Sequence, residues 1–254
     1  MKVARFSHDG AIDFGILDED ENELVVLKAD PLFAGLDTTG ERVPLASAKL
    51  LAPVIPRSKV VAVGRNYRAH AAEFGNDVPA EPMLFFKPNT SVIGPGDTIV
   101  RPNGSEQVDF EGELAVVIGA VARNVRASDA HAVIFGYTIG NDVSARDWQR
   151  SDGQWARAKG FDTSCPLGPF IETDFDVSAS RVRSSVNGDL KQDAPFTDMV
   201  HDVAKVVEYA SAVFTLLPGD VILTGTPAGV GPIVAGDRVD IEIDGIGTLS
   251  NPVA

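Results

Sequence analysis

Apolar and polar positions alternate with a period of two along the first 27 residues. This predicts short antiparallel strands over residues 2–6, 12–17 and 23–27. His8-Asp9-Gly10 and residues 18–22 are the turns between them, with His8 expected in solvent. Residues 30–56 lose the period and carry Pro31, Pro44, Pro53 and Pro56, so a loop is expected there. A boundary near Pro56-Arg57 then separates a small β-rich unit, residues 1–56, from a larger one, residues 57–254. Beyond it, continuous apolar runs replace alternation. Residues 60–64, Leu114 to Gly119, 135–140 and 221–224 predict buried strands. Asn187-Gly188 and Asp244-Gly245 predict two hairpins, joining residues 181–186 to 190–192 and 237–243 to 246–249. A short helix is expected over residues 67–74, and another over 129–134 capped by Ser128. The longest helix is expected to open at Asp198 and to bury Val203, Val206, Val207 and Ala210. It should run to about Leu217, where Pro218-Gly219 stops it.

Charge and cysteine content narrow the classes of function. The net charge of −14 argues against nucleic acid and anionic membrane surfaces as partners. Cys165 is the only cysteine, which excludes an internal disulfide and a cysteine-based zinc site. Residues 1–8 show no secretory apolar core, and no later run approaches membrane-spanning length, so a reducing cytoplasm is the expected compartment. The sequon Asn89-Thr90-Ser91 is taken as chance in that setting.

The candidate chemistry is mostly acidic. Glu111 and Glu113 occupy alternate positions at the mouth of the run that starts at Leu114, so they face the same way. Buried like charges need a shared proton, a basic partner or a cation; a solvated strand end is the alternative. Asp142, where the run 135–140 ends, could complete an all-oxygen triad. Such a donor set suits Mg²⁺ or Mn²⁺ ahead of Ca²⁺. A turn cap or a pair with Arg146 is the other reading of Asp142. His70 and Glu73 are i,i+3 neighbours on the short helix, suited to a general base or to a plain surface pair. Lys159 beside Gly160 could stabilise an oxyanion or stand solvated. Cys165 is assigned to packing, because no histidine lies near it in sequence. The Gly-rich residues 225–232 lack the Gly-Lys-Ser/Thr of a nucleotide loop. Residues 76–107 are expected to form a long loop that covers a site, and residues 150–158 a mobile one.

Taken in order, several stretches resemble the fumarylacetoacetate hydrolase family. They are Gly64-Arg65-Asn66-Tyr67 with His70 and Glu73, Phe85-Phe86-Lys87-Pro88, Asp109-Phe110-Glu111-Gly112-Glu113-Leu114, Asn141-Asp142-Val143-Ser144-Ala145-Arg146-Asp147, Lys159-Gly160-Phe161-Asp162 and Leu223-Thr224-Gly225-Thr226-Pro227. Each is weak alone, and the ordered set is specific. The resemblance implies an α+β, strand-rich fold: a mixed, β-sandwich-like roll with a small N-terminal domain, usually a homodimer. It implies that Glu111, Glu113 and Asp142 hold Mg²⁺ or Mn²⁺ and that His70 and Glu73 form a catalytic dyad. It places Lys159 near the metal, with Gln149, Thr226 and Arg65 toward substrate. The implied substrate is a small 2-oxo or 2,4-dioxo acid reacting through an enolate on the metal. Hydrolysis of a C–C bond, as in an acylpyruvate or fumarylpyruvate, is the expected reaction. Isomerisation of a hydroxyheptadienedioate and oxaloacetate decarboxylation are the alternatives, and a non-catalytic protein with a structural metal is the alternative of another class.

Overall fold

The computed structural model describes residues 1–73 and 75–254; Phe74, the last position of the expected 67–74 helix, lies outside them. The expected strand-rich α+β architecture is what forms. A 12-stranded mixed sheet runs, edge to edge, through Thr38–Pro44, Glu23–Leu27, Ala11–Asp18, Lys2–His8, Cys165–Glu172, Ile134–Asn141, Gly112–Ile118, Val221–Leu223, Val60–Gly64 and Met83–Lys87. Two short strands, Lys49–Leu50 and Val92–Ile93, pair off this path. The N-terminal strands are part of the same sheet, because Lys2–His8 pairs with Cys165–Glu172 (Val3 opposite Ile171). A four-stranded antiparallel sheet is made by the hairpins Arg181–Val186/Asp189–Pro195 and Arg238–Ile243/Gly247–Pro252. Three short strands, Ser144–Ala145, Val108–Phe110 and Gly231–Pro232, form a third sheet.

The strand Gly112–Ile118 is buried along its whole length because both of its faces are covered. Leu114, Val116 and Ile118 point into one core with Val182, Ile241 and Leu249 of the four-stranded sheet. Ala115 and Val117 point into another with Val60, Ala62, Val221 and Leu223. Burial on both faces explains why the strand reads as a continuous apolar run and not as an alternation. Among the described residues, no helix is long and apolar enough to cross a membrane.

Five expectations need correction. Residues 76–107 are not one long loop: Met83–Lys87 is an edge strand of the large sheet paired with Val60–Gly64, and Val92–Ile93 pairs with Cys165–Glu172. Residues 30–56 are not all loop: Pro31–Ala34 is a helical turn and Thr38–Pro44 is an edge strand. Only Val43 of that strand is buried, so its sequence carries no alternation to read. Ser128 caps nothing. Residues Ala127–Val133 form a 3₁₀ segment, the Ser128 hydroxyl turns to Asp129, and Glu208 accepts the Ala127 N–H. The long helix is Val203–Val213, capped by Asp202, whose side chain accepts the Lys205 N–H at 2.8 Å. Asp198 sits in a preceding 3₁₀ turn, because Met199 bridges to Tyr67 and the Val200 N–H bonds the Asn66 carbonyl. Residues 150–158 belong largely to two short helices, Arg146–Ser151 and Ala156–Gly160. Arg157 links them by pairing with Asp152 at 2.6 Å and stacking on Trp148 at 4.5 Å.

Candidate active site

The chain brings its acidic residues together at the end of the strand Gly112–Ile118. Glu111 precedes this strand and Glu113 lies inside it. The neighbouring strand Ile134–Asn141 runs antiparallel with Gly112 opposite Asn141, so Asp142 emerges beside Glu111. The turn is held by the Asp142 N–H on the Glu111 carbonyl and by the Glu111 N–H on Asn141 Oδ1, both 2.9 Å. Carboxylate oxygens of Glu111, Glu113 and Asp142 lie within 4.8 Å of one another, and all three residues are buried. Gly112 between the two glutamates is required by space, since a Cβ there would stand 2.2 Å from Ser184 Oγ.

Buried cations surround this cluster. Lys159, at the end of Ala156–Gly160, donates to Glu111 Oε2 (2.6 Å) and Asp142 Oδ2 (2.7 Å). Arg146 donates to Glu111 Oε1 (2.5 Å), Asp109 Oδ2 (2.8 Å) and Gln149 Oε1 (2.9 Å). Lys87, fully buried, donates to Asp142 Oδ1 (2.7 Å) and to the Lys159 carbonyl. Asp142 therefore pairs with two lysines and not with Arg146. Burial raises the affinity of Glu111 for a proton, but Arg146 and Lys159 outweigh it and hold this carboxyl well below the usual range. Glu113 goes the other way. Burial, then the Asp142 and Glu111 carboxylates, push it well above the usual range. Among the described residues it has no basic partner within ion-pair distance, and it accepts the Gly225 N–H at 2.7 Å.

The arrangement fits a hard divalent cation. Four buried carboxylates (Asp109, Glu111, Glu113 and Asp142) face three basic side chains (Lys87, Arg146 and Lys159), which leaves Glu113 without a cation of its own; its raised proton affinity reflects that deficit, which a divalent cation would fill. The donors are all oxygen, and each engaged carboxylate oxygen keeps a further lone pair.

The same groups border a cavity of about 330 Å³. Of the residues singled out from the sequence, Arg65, His70, Glu111, Glu113, Asp142, Gln149, Lys159 and Thr226 all line it. Glu73 does not; it stands behind His70. His70, on the helix Arg68–Glu73, places Nδ1 3.2 Å from Glu73 Oε2 and Nε2 3.9 Å from Glu111 Oε1. The other Glu73 oxygen accepts the Gly229 N–H at 2.8 Å, which ties the helix to the Gly-rich loop. Arg65 adopts the left-handed conformation (φ 56°), unfavourable for a side chain with a Cβ. Asn66 holds the turn after it, donating to the carbonyls of His201 (2.9 Å) and Thr224 (2.7 Å) and accepting the His201 N–H (2.8 Å). Phe85 and Trp155, edge to face at 5.4 Å, form an apolar wall.

Sequence reasoning missed several of these residues. Lys87 stands out as a cation closing an apolar run before a proline and within the stretch Phe85-Phe86-Lys87-Pro88, signals with no partner attached. Arg146 was considered for Asp142 and instead grips Glu111 and Asp109. Trp155 and Gln192, the latter bonded to Thr226 at 2.7 Å, carried no local signal.

Comparison with known proteins places the chain clearly. The family model for the fumarylacetoacetate hydrolase C-terminal domain matches residues 59–254, and the Rv2993c-like N-terminal model matches residues 1–53. A solved structure of 5-carboxymethyl-2-hydroxymuconate delta-isomerase from Mycobacterium smegmatis is 50% identical, with a TM-score of 0.93, covering 100% of this chain and 99% of that one. Mitochondrial oxaloacetate tautomerase fahd2 of Xenopus laevis is 43% identical over 232 residues, 87% of this chain and 73% of its own. Maleylpyruvate hydrolase from Sphingobium sp. SYK-6, solved with manganese(II) and pyruvate, is 33% identical with a TM-score of 0.82, covering 100% and 99%.

Proposed function

The chain belongs to the fumarylacetoacetate hydrolase family, and from that premise we propose that it is a divalent-metal-dependent enzyme of small 2-oxo acids that moves a proton between the oxo and enol forms. The observation that carries this reading is the shared cavity: one wall is the buried triad with Lys159, and another is His70 backed by Glu73. Relatives named as an isomerase and a tautomerase, at 50% and 43% identity, favour proton transfer without fragmentation.

Glu111, Glu113 and Asp142 would hold Mg²⁺ or Mn²⁺, which supplies Lewis acidity toward the carboxylate and 2-oxo oxygens of a substrate. In the tautomer that donates Nδ1–H to Glu73, His70 Nε2 is the basic nitrogen, and from the cavity wall it takes a proton from the substrate carbon. Glu73 steadies the imidazolium that results, and its second oxygen is anchored by Gly229, so the pair is pre-set. The Lys159 ammonium stands where negative charge develops on substrate oxygen. Phe85 and Trp155 keep water from the reacting carbon.

C–C hydrolysis of an acylpyruvate or fumarylpyruvate is the second reading. The His70–Glu73 pair favours it, since the same base can activate water, and a relative at 33% identity is named a hydrolase. Turnover on an acylpyruvate, fumarylpyruvate, a hydroxyheptadienedioate and oxaloacetate, each with Mg²⁺ and with chelator, separates the readings. An absorbance shift without fragmentation supports proton transfer. Pyruvate release with loss of the dioxo-acid absorbance supports hydrolysis, and pyruvate with CO₂ from oxaloacetate alone supports decarboxylation. Metal binding with no turnover on any of them would refute an oxo-acid enzyme.

A further inference from the structure

A second cavity, of about 270 Å³, lies at the seam between the N-terminal strands and the rest of the chain, and it shares no lining residue with the active-site cavity. Val3 and Arg5 project from one face of Lys2–His8, since side chains two positions apart on a strand point the same way. Val3 joins the core that holds Val54, Val60 and Val221. Arg5 continues that face and lines the cavity with Phe14, its partner on the neighbouring strand. Leu32, Pro53 and Val54 make further walls apolar.

The charged groups that line the cavity are Arg5, Asp30 and Arg57. Asp30 is committed on both oxygens: Oδ1 accepts the Leu32 N–H at 3.0 Å, and Oδ2 lies 3.7 Å from the Arg57 guanidinium. Arg57 also stacks on the Phe33 ring at 3.9 Å. Among the described residues, the half-buried Arg5 side chain donates no hydrogen bond and has no carboxylate within ion-pair distance. Burial lowers it from its ordinary value, and Asp30 opposes this from farther off. A guanidinium keeps its charge in proteins, and a desolvated charge without a partner is costly. Two cations against one carboxylate leave one positive charge, at Arg5, in a cavity with apolar walls.

We propose that this cavity is a second binding site, for a monocarboxylate with an apolar chain, and that Arg5 holds the carboxylate. The planar guanidinium presents parallel N–H donors that match the two oxygens of a carboxylate. Phe14, Leu32 and Val54 take the chain. Asp30 repels a second negative charge, so phosphate and dicarboxylic acids are disfavoured. The site stands apart from the oxo-acid reading and does not depend on it.

Hexanoate is the probe, titrated by calorimetry into the full chain with chelator present and again with Mg²⁺. Binding is expected in both conditions, with about a fourfold loss for each methylene removed on going to butyrate and acetate. Arg5→Met is expected to weaken hexanoate roughly ten- to hundredfold, the value of a charge-assisted hydrogen bond. Asp30→Asn keeps an oxygen for the Leu32 N–H and removes the opposing charge, so it should tighten hexanoate by roughly two- to fivefold. The opposite sign of the two variants keeps the test decisive if Arg5→Met does not fold. Absence of millimolar hexanoate binding to the wild type, unchanged affinity in folded Arg5→Met, or unchanged or weaker binding in Asp30→Asn overturns the assignment. Loss of binding under chelation would place the carboxylate on the active-site metal and overturn it equally. Each of these results leaves the oxo-acid reading intact.

Discussion

Replacing Lys87 by methionine tests whether the buried charges are arranged as argued. Methionine keeps the unbranched shape and removes the ammonium. Lys87 Nζ lies 2.7 Å from Asp142 Oδ1, and both side chains are essentially inaccessible, at 0% and 1% exposure. At an effective dielectric near 20, the attraction at that distance is about 6 kcal/mol. Part of it is offset by the cost of dehydrating the ammonium, and breaking a buried pair typically costs about 3–5 kcal/mol. Asp142 keeps Lys159 on its other oxygen, also at 2.7 Å, so the lower end applies, about 3 kcal/mol. For a chain of this size that is a fall in Tm of roughly 6–12 °C, read by circular dichroism in the presence of chelator. Saturating Mg²⁺ should stabilise Lys87→Met more than the wild type, because the cation replaces a positive charge beside Asp142. A Tm within about 2 °C of wild type under chelation would refute this account of the buried charges.

Three further outcomes are expected. Glu113→Ala removes the one cluster carboxylate without a basic partner, and divalent-cation binding should vanish; unchanged Mn²⁺ affinity by calorimetry would remove Glu113 from the ligand set. Glu73→Gln should cut turnover by about 10²–10⁴-fold, as expected for acid–base catalysis, while Mn²⁺ affinity stays at the wild-type level; wild-type turnover would exclude the dyad. Burial pushes the Cys165 thiol up to about 12, so at pH 8 its thiolate fraction is on the order of 10⁻⁴ and iodoacetamide should label it only after unfolding. Because that folded-state value lies above the ordinary thiol value of 9.0, the folded state holds the proton more tightly between the two, and the contribution of Cys165 to stability falls as pH rises through that window. Cys165→Ala should therefore lose less Tm than wild type between pH 9 and pH 11, and rapid native-state labelling at pH 8 would contradict the burial argument.

The sequence by itself determined the elements whose signal is local. The strands Glu23–Leu27 and Val60–Gly64 and both hairpins follow from burial period and turn residues, which neighbouring positions carry together. It also marked Glu111, Glu113 and Asp142 as a group, through an ordered set of short motifs. Where a segment is contested by distant partners, local signals fail. Asp198 reads as the start of the long helix, yet Asp202 caps it, and the choice is made by Asn66 and Tyr67, more than 130 positions earlier in the chain, which draw Met199 and Val200 into extended pairing. The edge strand Thr38–Pro44 exists because Glu23–Leu27 offers it hydrogen bonds, with almost no burial of its own. The electrostatics of the site are likewise tertiary. Lys87 meets Asp142 across 55 positions, Lys159 meets Glu111 across 48, and Gln192 meets Thr226 across 34. A residue type and its spacing say which group is available. Only the packing of the sheets decides which charges share a dry volume, and in that volume hydrogen-bond and charge balance set what each group can do.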